Sequence, residues 1–280
     1  MIRPGRLDEA VAARQEAPLA RIVGGGTLVV AERSLGIADP PAYLLLSSVA
    51  GLDALDRDEQ GWRIGSMVRL SDLAERTGQP DGDPMLARAL RSLATPQIRN
   101  QATVGGNIAE GRPAHTLGPC LVALGATVAV AGPAGTTEHP IARFLAAGAA
   151  DDEVVVGVTV PSHAGFARYA RVAPRNGPGY ATASIAIAID GAARSVRTGL
   201  GGVGRTTLSA DVADAYLVSV IDWDAATVPG GTAEEYGRLL AQGCDPVTDE
   251  RGSAEYRRHA VRVMGRRLVE DWAEEAQRGR

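Results

Sequence analysis

Two clusters of glycines with small polar neighbours are the residues of this chain best suited to bind a ligand. They are Gly24-Gly25-Gly26-Thr27 and Thr103-Val104-Gly105-Gly106-Asn107. Turns with converging backbone N–H groups bind anions, and glycine lets a phosphate come close because it has no Cβ. Two such turns in one domain would suit a diphosphate. The alternative is that both are tight turns between strands, which is the commoner meaning of adjacent glycines.

The basic residues limit the chemistry of such a site. All 29 are arginine, and the chain has no lysine. A pyridoxal Schiff base and a phosphate-binding loop of the GKS or GKT type both need a lysine amine, so both are excluded. Any diphosphate must therefore be held without lysine.

A third cluster, Gly199 to Gly204, fits the G-x-G-x-x-G fingerprint of dinucleotide-binding enzymes. The preceding ARSVRT is too polar for the centre of a parallel sheet, where both faces of a strand are covered. Its natural partner is the strand before Asp190-Gly191, a dipeptide typical of hairpin turns. We therefore predict an antiparallel hairpin here and keep an NAD-dependent Rossmann enzyme as an alternative function.

Short helices and strands flank the first two clusters. In the first half we predict helices over 7–17, 70–77 and 84–93 and strands over 21–23, 62–65 and 153–161. After a boundary at 161–165 we predict the hairpin strands 182–189 and 193–200, a helical region from 210 and a long helix over 253–275. In that helix we expect a solvated face formed by Arg257, Arg258, Arg262, Arg266 and Arg267, with docking of a partner as the less favoured alternative.

Composition narrows the class of protein further. The 280 residues suffice for about two domains, and a net charge of −4 favours neither nucleic acid nor an anionic membrane as partner. The first residues lack the apolar core of a signal peptide, so we expect a cytoplasmic protein. Cys120 and Cys244 are the only cysteines, and with four histidines they form no metal-ligand spacing. We expect both to be buried as small hydrophobes and assign no metal site.

Five segments resemble one family closely. ATPQIRNQATVGGNIA (94–109) resembles the signature of the FAD-binding medium subunit of molybdenum hydroxylases, the group of carbon monoxide, xanthine and aldehyde dehydrogenases. IVGGGTLV is similar to that family's first glycine motif, and WRIGSMVRLSDL is similar to the segment between the two motifs. VRTGLGGVGRTT and DERGSAEYRRHAVRVMGRRL resemble its C-terminal flavoprotein domain.

The resemblance implies an α+β fold with two domains. Residues 1–163 would form an FAD-binding domain of the PCMH type, with a small α/β subdomain (about 1–52) and a larger mixed-sheet subdomain (53–163). Residues 164–280 would form a C-terminal α+β domain with an antiparallel sheet and a helix bundle.

The resemblance also implies a cofactor site. Gly24 to Leu28 and Thr103 to Asn107 would wrap the FAD diphosphate, largely through backbone N–H groups, and Ala94 would lie near the flavin or adenosine. Pro96, Ile98, Arg99 and Asn100 would shape the segment leading into the second cluster. We expect Ile98 to be a core residue, and Arg99 to be either a donor to backbone carbonyls or a cofactor ligand. The predicted cofactor-binding residues are Gly24, Gly25, Gly26, Thr27, Leu28, Ala94, Thr103, Val104, Gly105, Gly106, Asn107, His115, Glu153 and Arg168.

Several positions depart from the family pattern. His115 stands where the family usually has an aspartate that accepts from a ribose hydroxyl, so that contact is altered. Leu28 occupies a site that is commonly Asp or Ser, and Arg168 replaces what is often a lysine. Glu153 matches the usual glutamate. Tyr180 is equally consistent with shielding the flavin ring and with ordinary packing.

The function implied by the resemblance is electron relay. An FAD-dependent oxidoreductase subunit would receive electrons from iron–sulfur clusters and pass them to an external acceptor, with no catalytic residue required of the protein. Its partners would be a large subunit with a molybdenum cofactor and a small [2Fe-2S] subunit. The alternatives are a free-standing FAD-dependent oxidase or dehydrogenase of a biosynthetic pathway and a non-catalytic scaffold. The substrate and the electron acceptor are not encoded in any motif.

Overall fold

The computed structural model describes residues 1–174 and 179–278. Its strands are β1 (Arg21–Val23), β2 (Tyr43–Leu45), β3 (Leu55–Asp58), β4 (Gly61–Gly65), β5 (Thr127–Gly132), β6 (Gly135–Pro140), β7 (Val154–Pro161), β8 (Phe166–Val172), β9 (Ala183–Asp190), β10 (Ser195–Gly201) and β11 (Leu208–Ser209). Its helices are α1 (Leu7–Glu16), α2 (Thr27–Ser34), α3 (Leu70–Thr77), α4 (Pro84–Arg91), α5 (Pro96–Arg99), α6 (Val104–Ala109), α7 (Leu117–Ala123), α8 (Ile141–Ala147), α9 (Asp211–Val220), α10 (Thr232–Gln242) and α11 (Ala254–Arg278). The α+β class is confirmed.

The chain folds into two compact units that do not follow chain order. The first contains residues 1–80, 94–111 and 126–162, and the second contains 81–93, 112–125 and 163–280. Helices α4 and α7 come from the first half of the sequence but belong to the second unit, where they pack against β8 and β10. The domain boundary at 163–164 stays a prediction.

The first unit contains two sheets. The parallel pair β1-β2 has Ile22 opposite Leu44, and α1 packs beside β2. The larger sheet has the order β3-β4-β7-β5-β6, and all its neighbours are antiparallel, although we expected a mixed sheet. A core of Ala10, Leu44, Leu52 and Val154 joins α1 and β2 to β7. This core fixes the end of β1, where the first glycine cluster begins.

The second unit is built on the antiparallel sheet β11-β10-β9-β8. The hairpin between β9 and β10 is confirmed, with Asp190 opposite Ser195. Alternation is lost in β9 because residues 183–189 are buried on both faces. One face packs against the helices α9 and α11, and the other packs against α7.

The third glycine cluster serves the packing of this unit. A Cβ at Gly199 would lie 2.1 Å from the carbonyl oxygen of Pro119 in α7. Gly202 has a φ of +75° and its N–H donates to the carbonyl of Pro113 at 2.6 Å. β10, which precedes the cluster, pairs antiparallel with both neighbours, whereas a Rossmann strand lies in a parallel sheet. The close approach of α7 to β10 therefore explains Gly199, and a tight turn explains Gly202.

The expectation that Arg257 lies on a solvated face of α11 is wrong. Its side chain is only 4% exposed, and it donates to the carbonyls of Thr182 and Gly202 at 2.8 and 2.7 Å and pairs with Asp249. Arg258, Arg262 and Arg267 are exposed as expected, and Arg266 is half-buried. The periodicity of a helix could not show that one guanidinium satisfies buried carbonyls of the sheet.

Other features agree with the sequence. Cys120 and Cys244 are both buried, and burial raises the pKa of each thiol. No helix among residues 1–174 and 179–278 is long and apolar enough to cross a bilayer.

One carboxyl group is buried in the second unit. Asp214 of α9 accepts from the N–H of Thr198 at 2.8 Å and from the hydroxyl of Tyr236 at 3.3 Å. Thr198 and Tyr236 are also hydrogen-bonded to one another at 2.6 Å. Burial raises the pKa of Asp214 to about 6, although these hydrogen bonds lower it in part. The network joins α9 and α10 to β10.

The raised pKa of Asp214 predicts a pH-dependent stability. Because the folded state holds the proton more tightly than the unfolded state, this group stabilises the fold at low pH, and that contribution is lost as pH rises through about 6. In Asp214→Asn the side chain stays neutral and still accepts from Thr198. The free energy of unfolding of the variant minus that of the wild type should therefore increase by about 2 to 3 kcal/mol as pH rises from about 4 to 8. Urea unfolding of both proteins measures it, and a difference independent of pH would contradict it.

Candidate functional site

The first glycine cluster joins a strand to a helix. β1 ends at Val23, Gly26 has a left-handed φ of +72°, and α2 begins at Thr27. Left-handed backbone is easily adopted by glycine, and here it turns the chain from the sheet into the helix. The expected turn after the strand is therefore present, and it is followed by a helix that we did not predict.

Consecutive donors are available in this cluster. None of the backbone N–H groups of residues 24 to 28 donates to an acceptor in the described part of the chain. The last two of these residues form the first turn of α2, whose N-terminus carries the positive end of the helix dipole. Free N–H groups at a helix N-terminus bind phosphate. The segment can thus hold an anion without a lysine.

The two glycine clusters touch each other. A Cβ on Gly24 would lie 2.6 Å from Oγ1 of Thr103, and a Cβ on Gly25 would lie 1.7 Å from the carbonyl oxygen of Gln101. No side chain fits at such distances, so only glycine permits the contact. The structure therefore brings the predicted residues 24–28 and 103–107 together in one cradle, which we call the glycine cradle.

The second cluster differs from what the resemblance implied. The N–H groups of Val104 and Gly105 donate to the carbonyls of Val68 and Ser66 at 3.0 and 2.8 Å. Those of Gly106 and Asn107 donate to Oγ1 and the carbonyl oxygen of Thr103 at 3.2 and 3.0 Å. All four groups are used because Thr103 caps α6 and the segment packs on the turn after β4. The N–H groups of residues 104 to 107 are therefore used within the protein. The N–H groups available to a ligand are those of the first cluster.

The glycines of the second cluster have separate roles. A Cβ on Gly105 would lie 2.6 Å from Cβ of Ser66, so this glycine is required by internal packing. A Cβ on Gly106 would meet only Oγ1 of Thr103, at 3.2 Å, and Gly106 is half-buried. Gly106 is thus the position in this cluster where the missing side chain leaves room for a ligand.

The segment before the second cluster contains a strained residue. Ala94 has a φ of +46°, a left-handed conformation that costs an L-residue free energy. Nη1 of Arg99 donates to the carbonyl oxygen of Ala94 at 2.9 Å, which supports the expectation of a donor to backbone carbonyls. The expectation that Ile98 is a core residue is wrong, because this residue of the short helix α5 is 43% exposed.

The other predicted site residues lie apart from the cradle segments in sequence. Glu153 is in the first unit, where its Oε2 accepts from the N–H of Ala150 at 2.8 Å and closes the turn before β7. Arg168 is in the second unit, where its Nη2 pairs with Oε2 of Glu275 at 2.5 Å. A direct cofactor role for either stays a prediction.

His115 stacks on Tyr180 within the second unit. Their ring centroids are 5.8 Å apart with an angle of 24° between the planes. The guanidinium carbon of Arg251 lies 5.1 Å from the centroid of the Tyr180 ring. His115 therefore has an aromatic partner that the usual aspartate would not have, and its cofactor contact stays a prediction.

Sequence reasoning missed the residues that support the cradle. Ser66 and Gln101 contact the glycines, in part through main-chain atoms, so their side-chain types carried no signal. Oγ of Ser66 is buried without a hydrogen-bond partner in the described part of the chain. Only the three-dimensional contact reveals their role.

Comparison with known proteins assigns a family to this chain. Residues 1–163 match the family described as the FAD binding domain in molybdopterin dehydrogenase, and residues 168–272 match the CO dehydrogenase flavoprotein C-terminal domain. The medium subunit of nicotine 6-hydroxylase from Paenarthrobacter nicotinovorans is 31% identical over 261 residues, which cover 89% of this chain and 88% of that protein.

Carbon monoxide dehydrogenases are similar in both sequence and structure. The medium chain from Hydrogenophaga pseudoflava is 27% identical over 265 residues, covering 91% of this chain and 90% of that one. A chain of the carbon monoxide dehydrogenase from the same organism, solved without the Mo-pyranopterin moiety of its molybdenum cofactor, superposes with a TM-score of 0.88 at 25% identity, covering 98% and 96% of the two chains. The chain therefore belongs to the FAD-binding medium subunits of the molybdenum hydroxylase family.

Proposed function

We propose that the glycine cradle holds the diphosphate of FAD and that the chain is the flavin component of a molybdenum hydroxylase complex. The observation that carries the proposal is the row of N–H groups at residues 24 to 28, which have no acceptor in the described residues and begin a helix. Their charge is partial and fixed, so they attract a diphosphate without the side-chain entropy that a lysine would lose.

The two clusters would divide the work of binding. The first donates hydrogen bonds to the phosphate oxygens, and Gly106 of the second lets the ligand approach the backbone of α6. Thr103 connects them, since it caps α6 and also contacts the backbone at Gly24. The cradle is thus shaped before the ligand arrives, which lowers the cost of binding.

FAD supplies two-electron and one-electron redox chemistry, and the protein contributes binding, orientation and a defined environment. An iron–sulfur cluster needs about four cysteine ligands. This chain has two cysteines in all, and both are buried. We therefore propose that the clusters and the molybdenum cofactor belong to a small [2Fe-2S] subunit and a large subunit, with this chain passing electrons to an external acceptor.

The relatives of this chain support a complex. The similar proteins from Paenarthrobacter nicotinovorans and Hydrogenophaga pseudoflava are described as medium subunits or chains of nicotine 6-hydroxylase and carbon monoxide dehydrogenase. The match spans nearly the whole of both. A free-standing flavoprotein remains the alternative that the experiments below distinguish.

Substitution of Gly106 tests the cradle without disturbing the fold. In Gly106→Ala the added methyl group meets only Oγ1 of Thr103, so we expect the free energy of unfolding to change by less than about 1 kcal/mol. The methyl group would occupy the space through which the diphosphate approaches, and FAD affinity should fall at least about tenfold. Titration of the flavin-free protein with FAD, followed by flavin fluorescence, measures the affinity. Unchanged affinity would remove Gly106 from the site.

Substitution of Gly25 should damage both fold and site. Its added Cβ would lie 1.7 Å from the carbonyl oxygen of Gln101, and a backbone atom cannot rotate away. We expect Gly25→Ala to lower the free energy of unfolding by about 2 kcal/mol or more and to abolish FAD binding. The control is Gly5→Ala in the same unit, where the nearest atom is Oε2 of Glu9 at 3.7 Å. Equal effects of the two substitutions would show that the contact between the clusters is unimportant.

Native purification tests the proposed complex. An affinity-tagged chain recovered from its own organism should bring with it a molybdenum-containing large chain and a small chain with [2Fe-2S] clusters, detected by metal analysis and mass spectrometry. Recovery of the flavoprotein alone, with oxidase or dehydrogenase activity of its own, would favour the free-standing enzyme. Recovery without FAD, and failure of added FAD to bind, would favour the scaffold.

A further inference from the structure

We propose that Arg21 is a positioning residue of the flavin site, an ionic latch that holds α2 against the end of α6 and so fixes the spacing of the two glycine clusters. This inference rests on the proposed function of the glycine cradle. Arg21 is the first residue of β1, three positions before Gly24, and lies outside both glycine motifs.

The latch consists of the contacts of Arg21 with Glu32 and Glu110 in the first unit. Nη2 of Arg21 contacts Oε1 of Glu110 closely and lies 3.7 Å from Oε2 of Glu32. Glu32 is on α2, which begins at the first glycine cluster. Glu110 is the C-cap of α6, which begins within the second cluster. One guanidinium therefore joins the two helices that the clusters start.

The positions of the two carboxylates favour a positive charge beside them. Each lies in the C-terminal part of its helix, where the helix dipole is negative and a carboxylate is unfavourable. Both lie within ion-pair distance of the same nitrogen atom of Arg21, so this guanidinium offsets part of the repulsion between the two carboxylates. Loss of the charge at position 21 would weaken the attraction between α2 and α6.

The charges of the latch are partly buried, so their attraction is only partly screened by solvent and salt. The side chains of Glu32 and Glu110 are only 17% and 22% exposed, whereas that of Arg21 is 43% exposed. Partly buried charges are screened less by salt than exposed ones. The contact between Gly25 and Gln101 sets the nearest approach of the clusters, and the latch opposes their separation at the other ends of the helices.

A small movement here would weaken the binding of FAD. Donors that must meet two phosphates need placement to within about 0.5 Å, and α2 carries the donors while α6 carries Gly106. Loss of the latch would therefore loosen the cradle before it unfolded the unit. The expected consequence is faster release of FAD rather than loss of the fold.

The experiment compares Arg21→Gln with Arg21→Lys and with Arg63→Gln in the full chain. Arg63 is the matched control, since it forms an ion pair with Asp58 in the same unit, with its side chain 57% exposed, on β3 and β4. FAD is the probe, and its dissociation constant and release rate are measured by flavin fluorescence. The stability of the flavin-free proteins is measured in urea.

We expect Arg21→Gln to raise the dissociation constant and the release rate about fivefold, which is the effect of an ion pair worth roughly 1 kcal/mol. Arg21→Lys should recover most of the affinity, because its ammonium group restores the charge between the two glutamates. Arg63→Gln should bind FAD like the wild type. If Arg21→Gln does not fold, Glu110→Gln breaks the closer contact and should also speed FAD release.

Three results would overturn the latch. One is that the wild type and Arg21→Gln bind and release FAD equally, while Gly106→Ala loses affinity; the cradle would then stand without the latch. Another is that Arg63→Gln weakens FAD binding as much as Arg21→Gln, which would indicate a general loss of stability. The third is that the wild type binds no FAD, which would overturn the proposed function as well.

Discussion

The close contact of Gly24 and Gly25 with the segment 101–103 is the constraint on which the rest of this structure depends. Gly25 approaches the carbonyl of Gln101, and Gly24 approaches Thr103, at distances that exclude a Cβ. Because the segments are this close, the turn after β1 and the start of α6 form one surface. The small core around Leu44 and Val154 holds β1 in place, and the hydrogen bonds of Val104 and Gly105 to the turn after β4 hold α6. The surrounding fold serves to keep this contact.

A chain without lysine uses other sources of positive charge. At the cradle the charge comes from peptide N–H groups at the start of α2, which are held rigidly and need no counter-ion. Elsewhere arginine takes structural roles, as when Arg257 satisfies the carbonyls of Thr182 and Gly202 inside the second unit. Arg99 does the same for the carbonyl of the strained Ala94. Guanidinium groups suit this role because their several donors have fixed directions.

The second unit explains the glycine-rich motif that resembled a dinucleotide fingerprint. The motif 199–204 follows an antiparallel strand, and the close approach of α7 requires glycine at its first position. Helix α7 comes from a distant part of the sequence, so the reason for the glycine was invisible in the local pattern. A match to a short motif thus had two physical explanations, and packing was the correct one.

The sequence alone determined the fold class, the hairpin about Asp190-Gly191, the long helix α11, the family and its cofactor, because local periodicity, turn residues and an extended motif carry these signals. Tertiary structure decided what depends on contacts between distant residues. It placed α4 and α7 in the second unit. It also buried Arg257, left Ile98 exposed and paired the N–H groups of residues 104 to 107 with acceptors inside the protein. These features could not be read from the sequence because each depends on which atoms from elsewhere in the chain come within a few ångströms, and neither residue type nor spacing specifies that.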